Sequence, residues 1–290
     1  MKRIMLSLCI ASLLVAAGPT WSKETNHSAQ TSTVSVPNPA ASLKSMAQSF
    51  RANDLLGLTQ SAMPPATYNL VRQGYELARL QPVSEEDRAE FDRALGKFIA
   101  TDAVDQWMIE IEPKLEKARP QVPAAMLMGM GALQMAVLSE ESKLSVEERE
   151  MLKNALPGLQ QWASSRDFLD SAMLRQALTL VADAIRSSGV RNLDDAKQLS
   201  FEQALGQAEQ VLASTKQALR LYGLDLDAIV DTLKVDVVSV EGDQAIVRAT
   251  ITVFDAPISK EHQLVLLNGR WYPKDAAKHF SVNIEQHAAR

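Results

Sequence analysis

The sequence predicts an α+β fold that is predominantly α, in which a helical bundle is followed by a small antiparallel β-meander. Apolar residues recur every three or four positions from about residue 42 to residue 233, and they alternate with polar residues after that point. An Asn-Gly pair at residues 268–269, typical of tight hairpins, separates the last two predicted strands. The sheet is therefore expected at the C-terminal end.

The chain opens with a segment typical of an export signal. Two basic residues precede an apolar run over residues 4–17, and small residues at Ala17 and Ser22 offer cleavage sites, of which Ser22 is preferred. The run is shorter than the roughly 20 apolar residues that cross a bilayer. We therefore expect a signal peptide over residues 1–22 and a periplasmic or secreted protein.

Composition excludes several classes of function. The formal net charge of -5 does not favour binding to the phosphates of nucleic acids. Cys9, the only cysteine, lies inside the predicted signal peptide, so the mature chain is expected to lack disulfides, thiol nucleophiles and thiolate metal ligands. Stability must then come from apolar burial, for which a hydrophobic fraction of 46% is sufficient.

A polar leader and a series of amphipathic helices are expected to follow the signal. Residues 23–40 are rich in Ser, Thr and Pro, which predicts a disordered leader. Apolar residues at helical spacing begin near Ser42, and a helical domain is expected over residues 41–199. Pro64 and Pro65 suit the first turn of a further helix.

Start and stop signals for helices recur through the middle of the chain. Ser84 and Ser145 each precede an acidic residue by three positions, which is the spacing of a capping box. Pro113 is expected to interrupt one amphipathic helix. Asp167 is expected to open a long helix that stops at Gly189.

Residues 122–138 differ from the other helical segments because Gln134 is the only polar residue among them. A helix that is apolar on all sides is usually buried, so burial within the protein is expected. The alternative is a membrane span, which the short length, Pro123 and two glycines disfavour. We therefore expect no stable membrane span in the mature protein.

The clearest predicted helix covers residues 201–222, where apolar residues alternate four and three apart between a capping Ser200 and a terminating Gly223. This helix and the strands that follow it are together expected to occupy residues 200–280. Residues 281–290 are then a tail. The apolar seam leaves homodimerisation open, because an intramolecular bundle would show the same pattern.

The predicted strands lie at residues 235–240, 247–253, 263–267 and 270–272. Their motifs Val-Glu-Gly-Asp-Gln-Ala-Ile-Val and Leu-Asn-Gly-Arg-Trp-Tyr resemble the sheet of NTF2-like, or cystatin-like, domains, and residues 50–56 resemble the first helices of small secreted members of that superfamily. The long helical middle is not part of the resemblance. It implies a cone-shaped pocket that binds ligands, mediates dimerisation or catalyses, without choosing among these.

Candidate catalytic residues are few. His262 shares strand parity with Leu264, so it could enter a pocket of the sheet, and Asp236 or Asp231 could act there as a base. A histidine at a strand edge or turn is more often only solvated. The Gly-x-Ser-x-Gly, His-Glu-x-x-His and P-loop motifs are absent from the sequence.

Met126, Met128 and Met130 have a spacing by which thioethers bind Cu(I) in export compartments. On a helix, however, Met128 points away from the other two, and methionine is an adaptable filler of cores. Packing is therefore the preferred interpretation of these residues.

Together these observations predict an exported, non-enzymatic envelope protein that binds a protein partner or a small apolar ligand and needs no cofactor. Two alternatives remain open at this point. One is a pocket enzyme of the NTF2-like type, and the other is a protein that binds a soft metal through methionine.

Overall fold

The computed structural model describes residues 37–139 and 144–274 of the chain. The predicted signal peptide, the predicted leader up to residue 36 and the predicted tail lie outside them. The described helices are α1 Pro39–Arg51, α2 Leu55–Ala62, α3 Pro65–Leu80, α4 Glu85–Ile99, α5 Ala103–Ala118, α6 Val122–Leu138, α7 Val146–Ser164, α8 Ser171–Ser187, α9 Leu193–Gln198, α10 Phe201–Leu221 and α11 Leu226–Asp231. The described strands are β1 Lys234–Glu241, β2 Gln244–Val253, β3 Ala256–Leu267 and β4 Arg270–Pro273.

The order of these elements confirms the predicted class, an α+β fold that is mainly α with its antiparallel sheet at the C-terminal end. The four strands form a meander in the order β1-β2-β3-β4, and each pair of neighbours is antiparallel. Asn268 and Gly269 have φ angles of 50° and 79°, as a tight hairpin turn requires, so the predicted Asn-Gly hairpin is confirmed.

A second tight turn, at Phe254 and Asp255, was not predicted. Both residues have positive φ angles, 51° and 60°, and β3 consequently starts at Ala256 rather than near residue 263. An aromatic residue rarely adopts this backbone conformation, so Phe254 carries no turn signal in the sequence. The ring of Phe254 packs against Trp162 of α7, with 5.2 Å between the ring centroids, and this contact favours the turn.

One face of the sheet packs against α1 and forms the larger hydrophobic core. The buried members of this core are Ala40, Val235, Ala245, Val247, Leu264 and Trp271. The indole Nε1 of Trp271 donates a hydrogen bond to the carbonyl of Pro37 at 2.5 Å, and Ser42 Oγ donates to the carbonyl of Trp271 at 2.5 Å. The first helix and the last strand are therefore joined by both packing and hydrogen bonds.

Most helix boundaries follow the capping residues read from the sequence, with three differences. α1 begins at Pro39, inside the predicted leader, because the Asn38 side chain accepts a hydrogen bond from the N–H of Ala40 and proline suits a first turn. The long helix expected to open at Asp167 begins at Ser171, since Asp170 is its N-cap. Helix α5 continues past Pro113 to Ala118.

Helices α5 and α6 are joined by a 3-10 turn, so residues 103–138 form one continuous helix of 36 residues. At 1.5 Å per residue this helix is about 54 Å long. α6 and α7 lie antiparallel: Val122 at the start of α6 lies near Ser164 at the end of α7, and Arg149 near the start of α7 reaches the carbonyl of Ser139.

An aromatic cluster fixes α7 to the rest of the fold. Trp162 packs edge-on against Phe168 with the ring centroids 5.0 Å apart, and Phe168 stacks on Tyr222 at 6.1 Å. Trp162 also donates a hydrogen bond to the carbonyl of Tyr222 at 2.8 Å. The position of the α6 and α7 pair is thus set at its base, where α7 meets the end of α10 and the turn before β3.

Candidate functional site

The sheet register separates the predicted catalytic residues. Asp236 lies opposite Arg248, and Arg248 lies opposite Glu261, so these three side chains share one face of the sheet. His262 lies opposite Val247, on the other face. His262 and Asp236, which the sequence offers as alternative bases, therefore lie on opposite faces of the sheet.

His262 is half-buried on the face that packs against α1, where Val247 and Leu264 are fully buried. Its predicted parity with Leu264 is confirmed. Asp236 lies on the exposed face, where Arg248 and Glu261 form an ion pair at 2.7 Å. The two residues thus occupy environments of different polarity on opposite sides of the sheet.

Asp231, the third candidate base, forms an ion pair that joins two helices. It ends α11 and accepts both a guanidinium Nε–H and an Nη2–H of Arg51 at the end of α1, the latter at 3.0 Å. These hydrogen bonds raise the pKa of Arg51. This two-pronged pair links the end of α1 to the end of α11.

Two cavities are found elsewhere in the described chain. One, of about 280 Å³, lies between α4 and α5 and is lined by Lys97 and Trp107 among others. The other, of about 370 Å³, lies at the base of the α6 and α7 pair. Neither cavity is lined by His262, Asp236 or Asp231.

The three methionines of α6 do not converge. Met126 and Met130 are half-buried on one side of the helix, whereas Met128 is exposed on the other side, as helical geometry requires. A Cu(I) site would need their sulfur atoms around one point. Within residues 37–139 and 144–274, no three His, Cys, Asp or Glu side chains form a cluster that could hold a metal ion either.

Helix α6 itself is the most unusual feature of the structure, and the prediction that it is buried was wrong. Val137 is its only buried residue, and only 6% of the most apolar window of the 36-residue helix is buried. The half-buried residues Val122, Met126, Met130 and Leu133 lie on the same side as Val137. Because α7 packs along α6, we assign this side to the contact between the two helices.

The opposite side of α6 is apolar and open. We define the outward face of α6 as Leu127, Met128, Met135 and Leu138, whose side chains are between 61% and 76% exposed. These positions fall within an arc of about 100° on a helix, together with the exposed Ala124 and Gly131. Val146, at the start of α7, adds another exposed apolar side chain at the end of the pair where α6 terminates.

An open face of this kind can bind apolar surface and little else. Fully burying a Leu or Met side chain is worth about 1.5–3 kcal/mol, so four such residues can supply several kcal/mol to an association. The sequence contains a sign that α6 is exposed, which the prediction did not use. The neighbouring helices are amphipathic and have one apolar face each, so no second all-apolar segment exists in the described chain to cover α6.

The cavity at the base of α6 has a cationic side. Arg119 donates to Asp167 at 2.6 Å and to the carbonyl of Leu169 at 2.9 Å, and this hydrogen bond from Arg119 lowers the pKa of Asp167. Arg166 lies beside the backbone of Gly223, where a Cβ atom would come within 2.9 Å of its Nε. Arg166 and Asp167 both line this cavity.

Ser164 and Ser165 line the same cavity together with Val122 and Pro123, the first two residues of α6. The cavity therefore lies where α6 begins and α7 ends, on the side of α6 that faces α7. Comparison with protein-family models, with curated proteins and with solved structures finds no match to this chain.

Proposed function

We propose that this chain is an exported, non-enzymatic envelope protein that binds an apolar partner surface through the outward face of α6. The observation that carries the proposal is the exposure of Leu127, Met128, Met135 and Leu138 along one side of α6. Large exposed apolar patches on soluble proteins mark interaction sites. Export is supported by the N-terminal sequence.

The scaffold around α6 supports a binding role. α7 covers the inward side of α6, and the cluster around Trp162 fixes α7 to α10 and the sheet. These contacts hold the inward side of α6 to the fold and leave its outward face open to a partner. Pre-organisation of this kind reduces the entropy lost on binding.

The test is saturable binding of the mature protein to a bacterial envelope fraction. We expect the double variant Met128→Glu with Met135→Glu to weaken binding by at least about tenfold, because two charges would have to be desolvated at the contact. The matched control is Leu77→Glu with Leu80→Glu, two equally exposed apolar residues on α3, which should bind as the unmodified protein does.

The same assay separates this proposal from the pocket enzyme. His262→Ala should leave binding unchanged, because His262 lies on the sheet face that packs against α1. Binding that depends on His262, or that survives the two α6 substitutions, would contradict the proposal.

A further inference from the structure

We infer that the outward face of α6 lies flat on a phospholipid bilayer, with its Leu and Met side chains among the acyl chains. This inference rests on the proposed function and specifies the partner of the same face. It differs from a membrane span, because α6 would enter only one surface of the bilayer.

The first support is that α6 is neither a buried core helix nor an export signal. The helix over residues 103–138 is long and apolar enough to cross a membrane, with a mean hydropathy of 1.4 in its most apolar window. A core helix of a soluble protein has the same composition but is mostly buried, whereas this window is 6% buried. A signal sequence also has this composition but lies near the N-terminus, whereas α6 is internal.

The second support is orientation. α7 lies along α6 and carries the exposed charges of Glu147, Glu150 and Lys153. A spanning arrangement would bring these charges into hydrocarbon at high cost. When the pair lies flat, the outward face of α6 enters the membrane surface while the charged residues of α7 stay hydrated, as in an interfacial amphipathic element.

The third support is area, which argues against a second copy of the chain as the occupant. Burying the four side chains of the outward face would remove roughly 400 Å² of accessible surface from water. A stable protein interface buries about 800 Å² on each partner. The face is also convex, whereas small ligands bind in concave sites. Fluid acyl chains need neither a large rigid interface nor a groove.

The charge of the protein decides how the binding should respond to salt and lipid. The formal net charge is -5, so the protein as a whole is not attracted to anionic lipid. Association driven by apolar burial should therefore occur on zwitterionic phosphatidylcholine and should change little with ionic strength. Attraction by surface charge would instead weaken steeply with salt, because salt screens such interactions.

The experiment is co-sedimentation of the full mature chain with phosphatidylcholine vesicles, with and without phosphatidylglycerol. We expect saturable binding to both, changing by no more than about twofold between roughly 0.05 and 0.5 M salt. Met128→Glu with Met135→Glu should reduce binding at least about tenfold, whereas Leu77→Glu with Leu80→Glu should not. Circular dichroism and urea unfolding check that each variant is folded, which is expected because all substituted positions are solvent-accessible.

Absence of binding to both kinds of vesicle would overturn the inference. So would binding that the two α6 substitutions leave intact. If vesicles are not bound but the envelope fraction is bound through the outward face of α6, the partner is a protein, and the proposed function stands without this inference. A dimer detected by light scattering that the same substitutions convert to monomer would identify a second copy as the occupant and overturn it.

Discussion

Lys216 shows how single residues hold distant parts of this fold together. Its side chain is almost fully buried, with 2% of the residue exposed, yet it carries a charge. Nζ donates to the carbonyls of Phe50 and Arg51 at the end of α1 and to Asp227 Oδ1 at 2.8 Å, and it lies 4.1 Å from the centroid of the Phe50 ring. The ammonium thus satisfies two terminal carbonyls of α1 and joins this helix to α10 and α11.

Replacing Lys216 by methionine keeps the shape of the side chain but removes every one of these hydrogen bonds. We expect the free energy of unfolding to fall by about 3 kcal/mol, which is the lower end of the range for removing one partner of a buried ion pair. The loss is at the lower end because Asp227 is partly exposed and still pairs with Arg220 at 3.3 Å. Urea unfolding measures this change. Lys153→Met, which removes an exposed lysine paired with Glu150, should change the midpoint little, and an equal loss in both variants would contradict the assigned role.

At the scale of single elements, capping residues located the helices well. Ser84, Ser145 and Ser200 all accept hydrogen bonds at the predicted N-termini, and Gly223 has the positive φ expected after α10. Such caps are local, so a single sequence reveals them. The burial of α6 was mispredicted because burial depends on which elements pack together, and apolar composition does not specify a neighbour.

Gly158 illustrates a contact that composition cannot reveal. It lies within α7, where a Cβ atom would come within 1.9 Å of the carbonyl oxygen of Phe254. Gly158→Ala should therefore destabilise the protein by about 1–3 kcal/mol, because α7 would have to move away from the turn before β3. Gly206→Ala in α10, where a Cβ meets open space, should instead stabilise it by up to about 1 kcal/mol. Thermal unfolding of the two variants should shift in opposite directions, and shifts of the same sign would contradict this packing.

At the scale of the whole molecule, the class and the order of elements were predictable because periodicity changes from helical to alternating near Leu233. The candidate site was not. Asp236 and His262 could be assigned to strands, but only the register places them on opposite faces. The composition of residues 122–138 marks that segment as unusual, but its exposure follows only from the three-dimensional arrangement of α6 and α7.

Long-range hydrogen bonds to carboxylates also make the stability of the whole molecule depend on pH. Glu76 of α3 accepts a hydrogen bond from the backbone N–H of Phe201 in α10 at 3.0 Å and another from Arg79, and these bonds lower the pKa of Glu76 below its ordinary value of 4.5. Arg119 and Arg88 lower the pKa of Asp167 and Asp194 in the same way. Each of these carboxylates joins elements that are distant in sequence.

A carboxyl group whose pKa is lowered on folding stabilises the folded state at pH values above its unfolded pKa, and this contribution is lost as pH falls through the folded pKa. The midpoint of urea unfolding should therefore decrease as pH is lowered below about 4.5. Glu76→Gln should be less stable than the unmodified protein at pH 7, and the difference should shrink as the pH is lowered below that value, because protonation then removes the same charge from Glu76. Glu112→Gln, at an exposed position on α5, is the matched control and should follow the unmodified protein throughout. If Glu76→Gln instead keeps the same deficit at every pH, the hydrogen bond between α3 and α10 does not depend on the charge of Glu76.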